Sequence, residues 1–158
     1  MKKIIFTGGS GRFAKIFRLV KHKYQIEYPS KTKLNIENFN SVLKYLIKNK
    51  PDYLIHCAAL SRPMKIHEKN ISKSILTNII GTSNIVRACS QKKIKLIYFS
   101  TNYVYPGIKG NYSEHDPVLP INNYAISKLG GECAVQMYKN SLILRICMTE
   151  KPFIHKEA

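Results

Sequence analysis

Tyr124 and Lys128 stand four residues apart in "YAISK", so on a helix the phenol and the ammonium share one face. A cation beside a phenol favours the phenolate and draws its pKa from about 10 toward neutrality. A tyrosine so placed can donate or accept a proton near pH 7. The spacing also fits a surface tyrosine beside a solvated lysine. A second group lies in "YFSTNYVY", where an apolar run ends in Ser100 and Thr101. Hydroxyls at the carboxyl end of a parallel strand sit where such sheets hold ligands, although a plain Ser/Thr turn uses the same residues. The third is "TGGSGRFAK", Thr7 to Lys15, directly after the apolar "KKIIF". Gly8 and Gly11 lack side chains, so backbone there can lie against a phosphate, and a helix beginning at Gly11 would point unpaired N–H groups at that charge. Ala14 keeps a third small position for helix–strand packing. A turn that merely reverses the chain remains the simpler alternative.

The elements that must carry these groups alternate. "KKIIF" predicts a first strand, and Phe13, Ile16, Phe17 and Val20 predict a helix over Gly11 to Lys21. "YQIEY" alternates as a second strand. Phe39, Val42, Leu43 and Leu46 predict a helix from Glu37 to Asn49, stopped by Pro51. "DYLIHCAA" reads as a buried third strand, followed by a helix over Ile71 to Gln91 and a fourth strand, "IKLIYFS". A loop rich in Gly, Pro, Asn and Asp spans 102–123. A helix from Tyr124 to Tyr138 and a fifth strand, "SLILRI", complete the order. Strands alternating with helices predict an α/β fold with a doubly wound parallel sheet and right-handed crossovers. The expected organisation is one domain over 1–148 and an irregular tail over 149–158.

At 158 residues and 44% hydrophobic, the chain can bury a single-domain core. No apolar run approaches the roughly 18 residues of a membrane span, and the amino terminus lacks a signal-peptide pattern, so the expectation is cytoplasmic with no membrane partner. Cys57, Cys89, Cys133 and Cys147 are scattered without ligand spacing, which predicts packed thiols and no metal site. The net charge of +17 comes from lysines spread over every segment. That pattern predicts a solvated basic surface with weak attraction to polyanions, not a specific nucleic-acid site.

Taken together, the three groups resemble the extended short-chain dehydrogenase/reductase family. "TGGSGRFA" stands for its Thr-Gly-x-x-Gly-x-x-Gly/Ala turn and "YAISK" for its Tyr-x-x-x-Lys. Within the family the likeness is to sugar-nucleotide reductases of the dTDP-4-dehydrorhamnose reductase kind, through "STNYVYPG", "EHDPVLP" and "INNYAISKLGGE" in order. The resemblance implies a Rossmann-like fold and NADP-dependent reduction of a nucleotide-activated 4-keto sugar. A related NAD-dependent epimerase or dehydratase, or a nucleotide-binding module without its own catalysis, are the alternatives. Carried over, Thr101 polarises the keto oxygen, Tyr124 protonates it, and Lys128 binds the nicotinamide ribose and holds the tyrosine's pKa down. Gly8, Ser10, Gly11, Arg12 and Phe13 would line the pyrophosphate turn. Cys57, Ala58 and Ala59 would lie beside the cofactor, Asn35 and Ile36 near its adenine. Asn78 matches a helix asparagine of structural importance.

The second strand runs into "YPSKTK", where Ser30, Lys31 and Lys33 suit a 2′-phosphate, so NADP is expected over NAD. Glu27 is the residue that would favour NAD. Three departures accompany the likeness. Asn102 and Asn35 each replace an Asp, and the family's carboxyl-terminal substrate region is missing after about the fifth strand. Self-association, or a partner chain supplying that region, is expected to cover the cleft.

Overall fold

The structure is a computed structural model that describes residues 1–147. The expected boundary at 148 and the tail over 149–158 lie outside the described residues. Five strands, β1 (Lys3–Thr7), β2 (Gln25–Glu27), β3 (Tyr53–His56), β4 (Lys95–Thr101) and β5 (Ser141–Ile146), form one sheet in the order β2-β1-β3-β4-β5. Every neighbouring pair is parallel. The chain steps outward from β1 to β2, then crosses back to place β3 on the other side of β1. The carboxyl ends of β1 and β3 therefore flank a topological switch point, where open α/β sheets bind ligands.

Side-chain alternation divides the core between two faces. Ile5, Leu54, Leu96 and Tyr98 pack against α2 (Phe39–Asn49), α5 (Gly81–Lys92) and α6 (Asn123–Gln136) through Val42, Leu46, Ile85 and Val135. Ile4, Phe6 and Ile55 face the other way, onto Ala14, Phe13 and Phe17 of α1 (Arg12–Phe17). That second face is largely aromatic, with Phe6 within 5.2–6.2 Å of Phe13, Phe17 and Tyr28.

Helix α1 is shorter than its periodicity predicts. Beyond Phe17 there is nothing to bury: Leu19 and Val20 are 83% and 55% exposed. The His22 ring binds the Val20 carbonyl at 2.7 Å and helps close the chain into a turn. The predicted helix over Ile71 to Gln91 is a composite. It opens with α4 (Ile71–Ser74), passes through a π-helical turn (Ile75–Ile80) and continues as α5. The wider turn brings Asn78 inside, where it is buried. A short α3 (Ile66–Lys69) precedes it, in a segment without a predicted element. Of the thiols expected to be packed, Cys89 is buried, Cys57 is half-buried, and Cys133 and Cys147 are exposed.

Helix α6 starts under an Asn122 cap that accepts from the Ala125 amide at 2.8 Å, which places Tyr124 in its first turn. Gly131 lets it approach the sheet. A Cβ at that position would stand 2.6 Å from the Tyr98 hydroxyl and 2.9 Å from the Asn78 carbonyl. The loop after β4 is folded back by Asp116, which accepts from the Ser113 amide at 2.6 Å, and by Tyr105 stacked on Tyr112 at 4.8 Å. No helix among the described residues is long and apolar enough to cross a membrane.

Candidate active site

The β1–α1 turn is built for close approach. Gly8 has φ +78°, and a Cβ there would lie 2.7 Å from the Ala58 amide nitrogen. The turn closes on itself through the Gly11 amide and the Gly8 carbonyl at 2.9 Å. Beneath it, the buried His56 ring reaches Thr7 Oγ1 at 2.8 Å and Thr82 Oγ1 at 3.1 Å. Burial pushes His56 down to about 3, so the imidazole is neutral and serves as a fixed strut between β1, β3 and α5. The Ala58 amide donates to the same Thr7 hydroxyl at 3.3 Å, pinning the segment after β3 against the glycine turn.

Across the switch point, β4 and α6 deliver the second half of the site. Thr101 and Lys128 are both buried, and Tyr124 lies half-buried between them and the cleft. Lys128 Nζ donates to the Phe99 carbonyl at 2.7 Å and sits 4.1 Å from the centre of the Tyr98 ring. Burial draws the ammonium down to about 7, against smaller opposing attractions from Cys57 and Glu132. The Tyr124 phenol is raised chiefly by burial, while the neighbouring Thr101 hydroxyl and the charge of Arg62 lower it by less. The lysine is bound to a backbone carbonyl, and burial dominates at the phenol.

Asn78 ties the halves together. Its amide accepts from the Leu60 nitrogen at 2.7 Å, donates to the Leu60 carbonyl at 2.9 Å and donates to Ser127 Oγ at 2.8 Å. The structural part expected of it fits these bonds. The buried Glu132 carboxylate and Arg145, joined at 2.8 Å, lock β5 to α6, and Arg145 also donates to the Tyr105 hydroxyl at 2.8 Å.

One cleft of about 1730 Å³ brings most of the predicted residues together. Gly8, Ser10, Gly11, Arg12, Phe13, Ser30, Lys31, Ile36, Cys57, Ala58, Ala59, Thr101, Tyr124 and Lys128 all line it. Asn35 does not. Its side chain accepts from the Glu37 amide at 3.1 Å and so closes the local turn. Several lining residues escaped sequence reasoning, among them Arg18, Tyr28, Glu37 and Arg62. The Arg18 guanidinium lies over the Tyr28 ring at 4.2 Å. Arg18 follows the end of a helix and carries no motif, so no sequence signal marks it. Glu27 is absent from this lining: it is bound by Lys3 at 2.9 Å and by the Tyr45 hydroxyl at 3.1 Å.

A parallel sheet that gathers a side-chain-free first turn and a Thr–Tyr–Lys group onto one rim defines the class, a nucleotide-binding domain of the extended short-chain dehydrogenase/reductase kind. A profile of the RmlD substrate binding domain family matches residues 1–149, and the chain belongs to that family. A dTDP-4-dehydrorhamnose reductase from Bacillus anthracis, solved in complex with NADP, superposes with a TM-score of 0.84 at 31% identity, covering 92% of this chain and 53% of that one. The GDP-6-deoxy-D-talose 4-dehydrogenase of Aggregatibacter actinomycetemcomitans is 34% identical over 146 residues, 87% of this chain and 48% of the relative. The methionine adenosyltransferase 2 subunit beta of Xenopus laevis is 35% identical over 108 residues, 67% of this chain and 32% of the relative. The chain thus spans about a third to a half of these relatives' lengths.

Proposed function

We propose that the chain carries the cofactor-binding and proton-transfer half of an NADP-dependent reductase acting on a nucleotide-activated 4-keto sugar. The observation that carries this reading is the single cleft shared by the Gly8–Gly11 turn and by Thr101, Tyr124 and Lys128. The residues fit a dinucleotide. The turn leaves backbone where side chains would block a pyrophosphate, and the cleft exceeds the roughly 300–1,000 Å³ of ordinary small-ligand pockets. Ala58, Ala59 and Cys57 provide a small-residue wall beside the reacting end.

The bound cofactor would supply a hydride, and the chain supplies everything around it. Thr101 hydrogen-bonds the keto oxygen and sets its direction. Tyr124 donates its phenolic proton to that oxygen as negative charge develops there. Its raised pKa keeps the proton in place until the charge forms. Lys128 holds the ribose hydroxyls with the N–H groups that Phe99 leaves over.

The preference for NADP rests on the cations at the adenosine end. Ser30 and Lys31 line the cleft there, Arg18 is held flat on Tyr28, and Glu27 faces Lys3 instead of a ribose 2′-hydroxyl. NAD remains the alternative ligand because Glu37 also lines the cleft, although Lys31 at 2.9 Å and Thr77 at 2.8 Å engage it.

A second reading is a nucleotide-binding module that works with a partner chain. It is favoured by a relative whose name is that of a subunit. Titration with NADPH followed by an assay with a dTDP-4-keto sugar separates the two. Turnover that is lost in Tyr124→Phe supports the reductase, whereas binding without turnover supports the module.

A further inference from the structure

We propose that His67 is a positioning residue for Tyr124, fixing the orientation of its ring in the cleft it shares with Thr101. The inference rests on the reading of Tyr124 as proton donor. His67 is buried, and its imidazole packs 5.2 Å from the Tyr124 ring at 57°. Tyr103 stands on the phenol as well, 6.3 Å away and edge-on at 88°. The aromatic body of Tyr124 is therefore held by two rings, in a cleft that Thr101 also lines.

The imidazole is itself fixed. Its Nδ1 pairs with the buried Ser74 hydroxyl of α4 at 2.8 Å. The segment that carries it is also fastened to the start of α6. Asn123, the residue before Tyr124, donates to the Glu68 carboxylate and to the His67 carbonyl at 3.5 Å. Side chain and backbone of α3 thus grip the same turn of α6 that presents the phenol.

A further observation argues against simple filling of space. His67 Nε2 is buried and makes no well-formed hydrogen bond, with the Ser61 backbone acting on the ring besides Ser74. A buried nitrogen so poorly bonded is unfavourable, so an apolar ring would serve packing better. What the imidazole adds is the Ser74 bond, which sets the tilt of the wall against Tyr124. Burial lowers the imidazole's pKa against weaker opposing pulls from the Glu68 charge and the Ser61 backbone.

The test uses the full chain with ¹³C-labelled tyrosine and the variants His67→Ala, His67→Phe and Ser74→Ala. Ser74 makes no hydrogen bond to Tyr124 among the described residues, and its side chain bonds the His67 ring. Ser74→Ala should shift the Tyr124 ring resonances. With NADPH and a 4-keto sugar nucleotide, His67→Ala should lower kcat by about ten- to a hundredfold, up to the scale of a reacting group misplaced by about 1 Å, with KM and NADPH affinity unchanged within about twofold. His67→Phe should recover part of that loss. Unchanged Tyr124 resonances in Ser74→Ala, or an unchanged kcat in His67→Ala, would overturn the inference. If His67→Ala fails to fold, the Ser74→Ala spectrum decides alone. Absence of NADPH binding by the wild type would instead count against the proposed function, a separate failure.

Discussion

Lys128 Nζ donates to the Phe99 carbonyl oxygen across 2.7 Å, so the cation of the Tyr–Lys pair is anchored to β4 and not to the phenol four residues before it. The bond satisfies one donor of a lysine buried on the sheet, while burial itself loosens its proton, to about 7 against an ordinary 10.5.

The depressed Lys128 value makes stability depend on pH with a definite sign. The unfolded chain keeps this proton up to about 10.5, while the folded chain releases it near 7. Charging Lys128 therefore opposes folding below pH 7, and that penalty fades as pH rises from 7 toward 10.5. Lys128→Met should raise Tm at pH 6.5, with a gain that shrinks steadily by pH 10. Thermal melts of both proteins across that range check it, and a pH-independent difference would contradict it.

Tyr124→Phe removes the proton and little else. The expected outcome is a loss of turnover by about 10²–10⁴, the usual contribution of a positioned acid. NADPH affinity should change by less than about threefold, because the ring still packs between His67 and Tyr103. Steady-state kinetics beside a binding titration separate the two effects.

Gly8→Ala forces a side chain onto φ +78° and within 2.9 Å of three backbone atoms of Cys57 and Ala58. Strain of that kind costs about 1–3 kcal/mol. Urea unfolding should show the loss, and dinucleotide affinity should fall with it because the turn must shift to make room.

Arg145→Ala would leave the buried Glu132 carboxylate without its partner and cut the tie to Tyr105. Breaking one side of a buried pair typically costs about 3–5 kcal/mol. Replacing both residues together, as Glu132→Gln with Arg145→Met, should cost less than Arg145→Ala alone. Denaturant midpoints of the variants measure this.

Much of the arrangement is legible in the sequence because it follows local patterns. Ile4, Ile5 and Phe6 alternate between two cores, and Val42 with Leu46 marks the buried stripe of α2. Gly8 and Gly11 stand between strand and helix as such a turn requires. What escapes is set by contacts between distant elements. Glu132 and Arg145 each read as ordinary surface charges until α6 folds onto β5. The single inserted residue of the π-helical turn at Asn78 is too small a phase change for an apolar period to register. His67 is a lone histidine whose contact with the Tyr124 ring exists only once α6 returns to it. Asn35 is set back from the cleft that Leu34, Ile36 and Glu37 line, its side chain engaged by the Glu37 amide.

Calorimetric titration of the folded chain with NADPH and, separately, NADH tests the central claim most directly, because each assigned role presupposes the dinucleotide in the Gly8–Thr101 cleft. The account predicts one site per chain, with NADPH bound about tenfold or more tightly than NADH, and a preference that Lys31→Ala and Arg18→Ala each diminish. A well-folded sample that takes up neither nucleotide would contradict it.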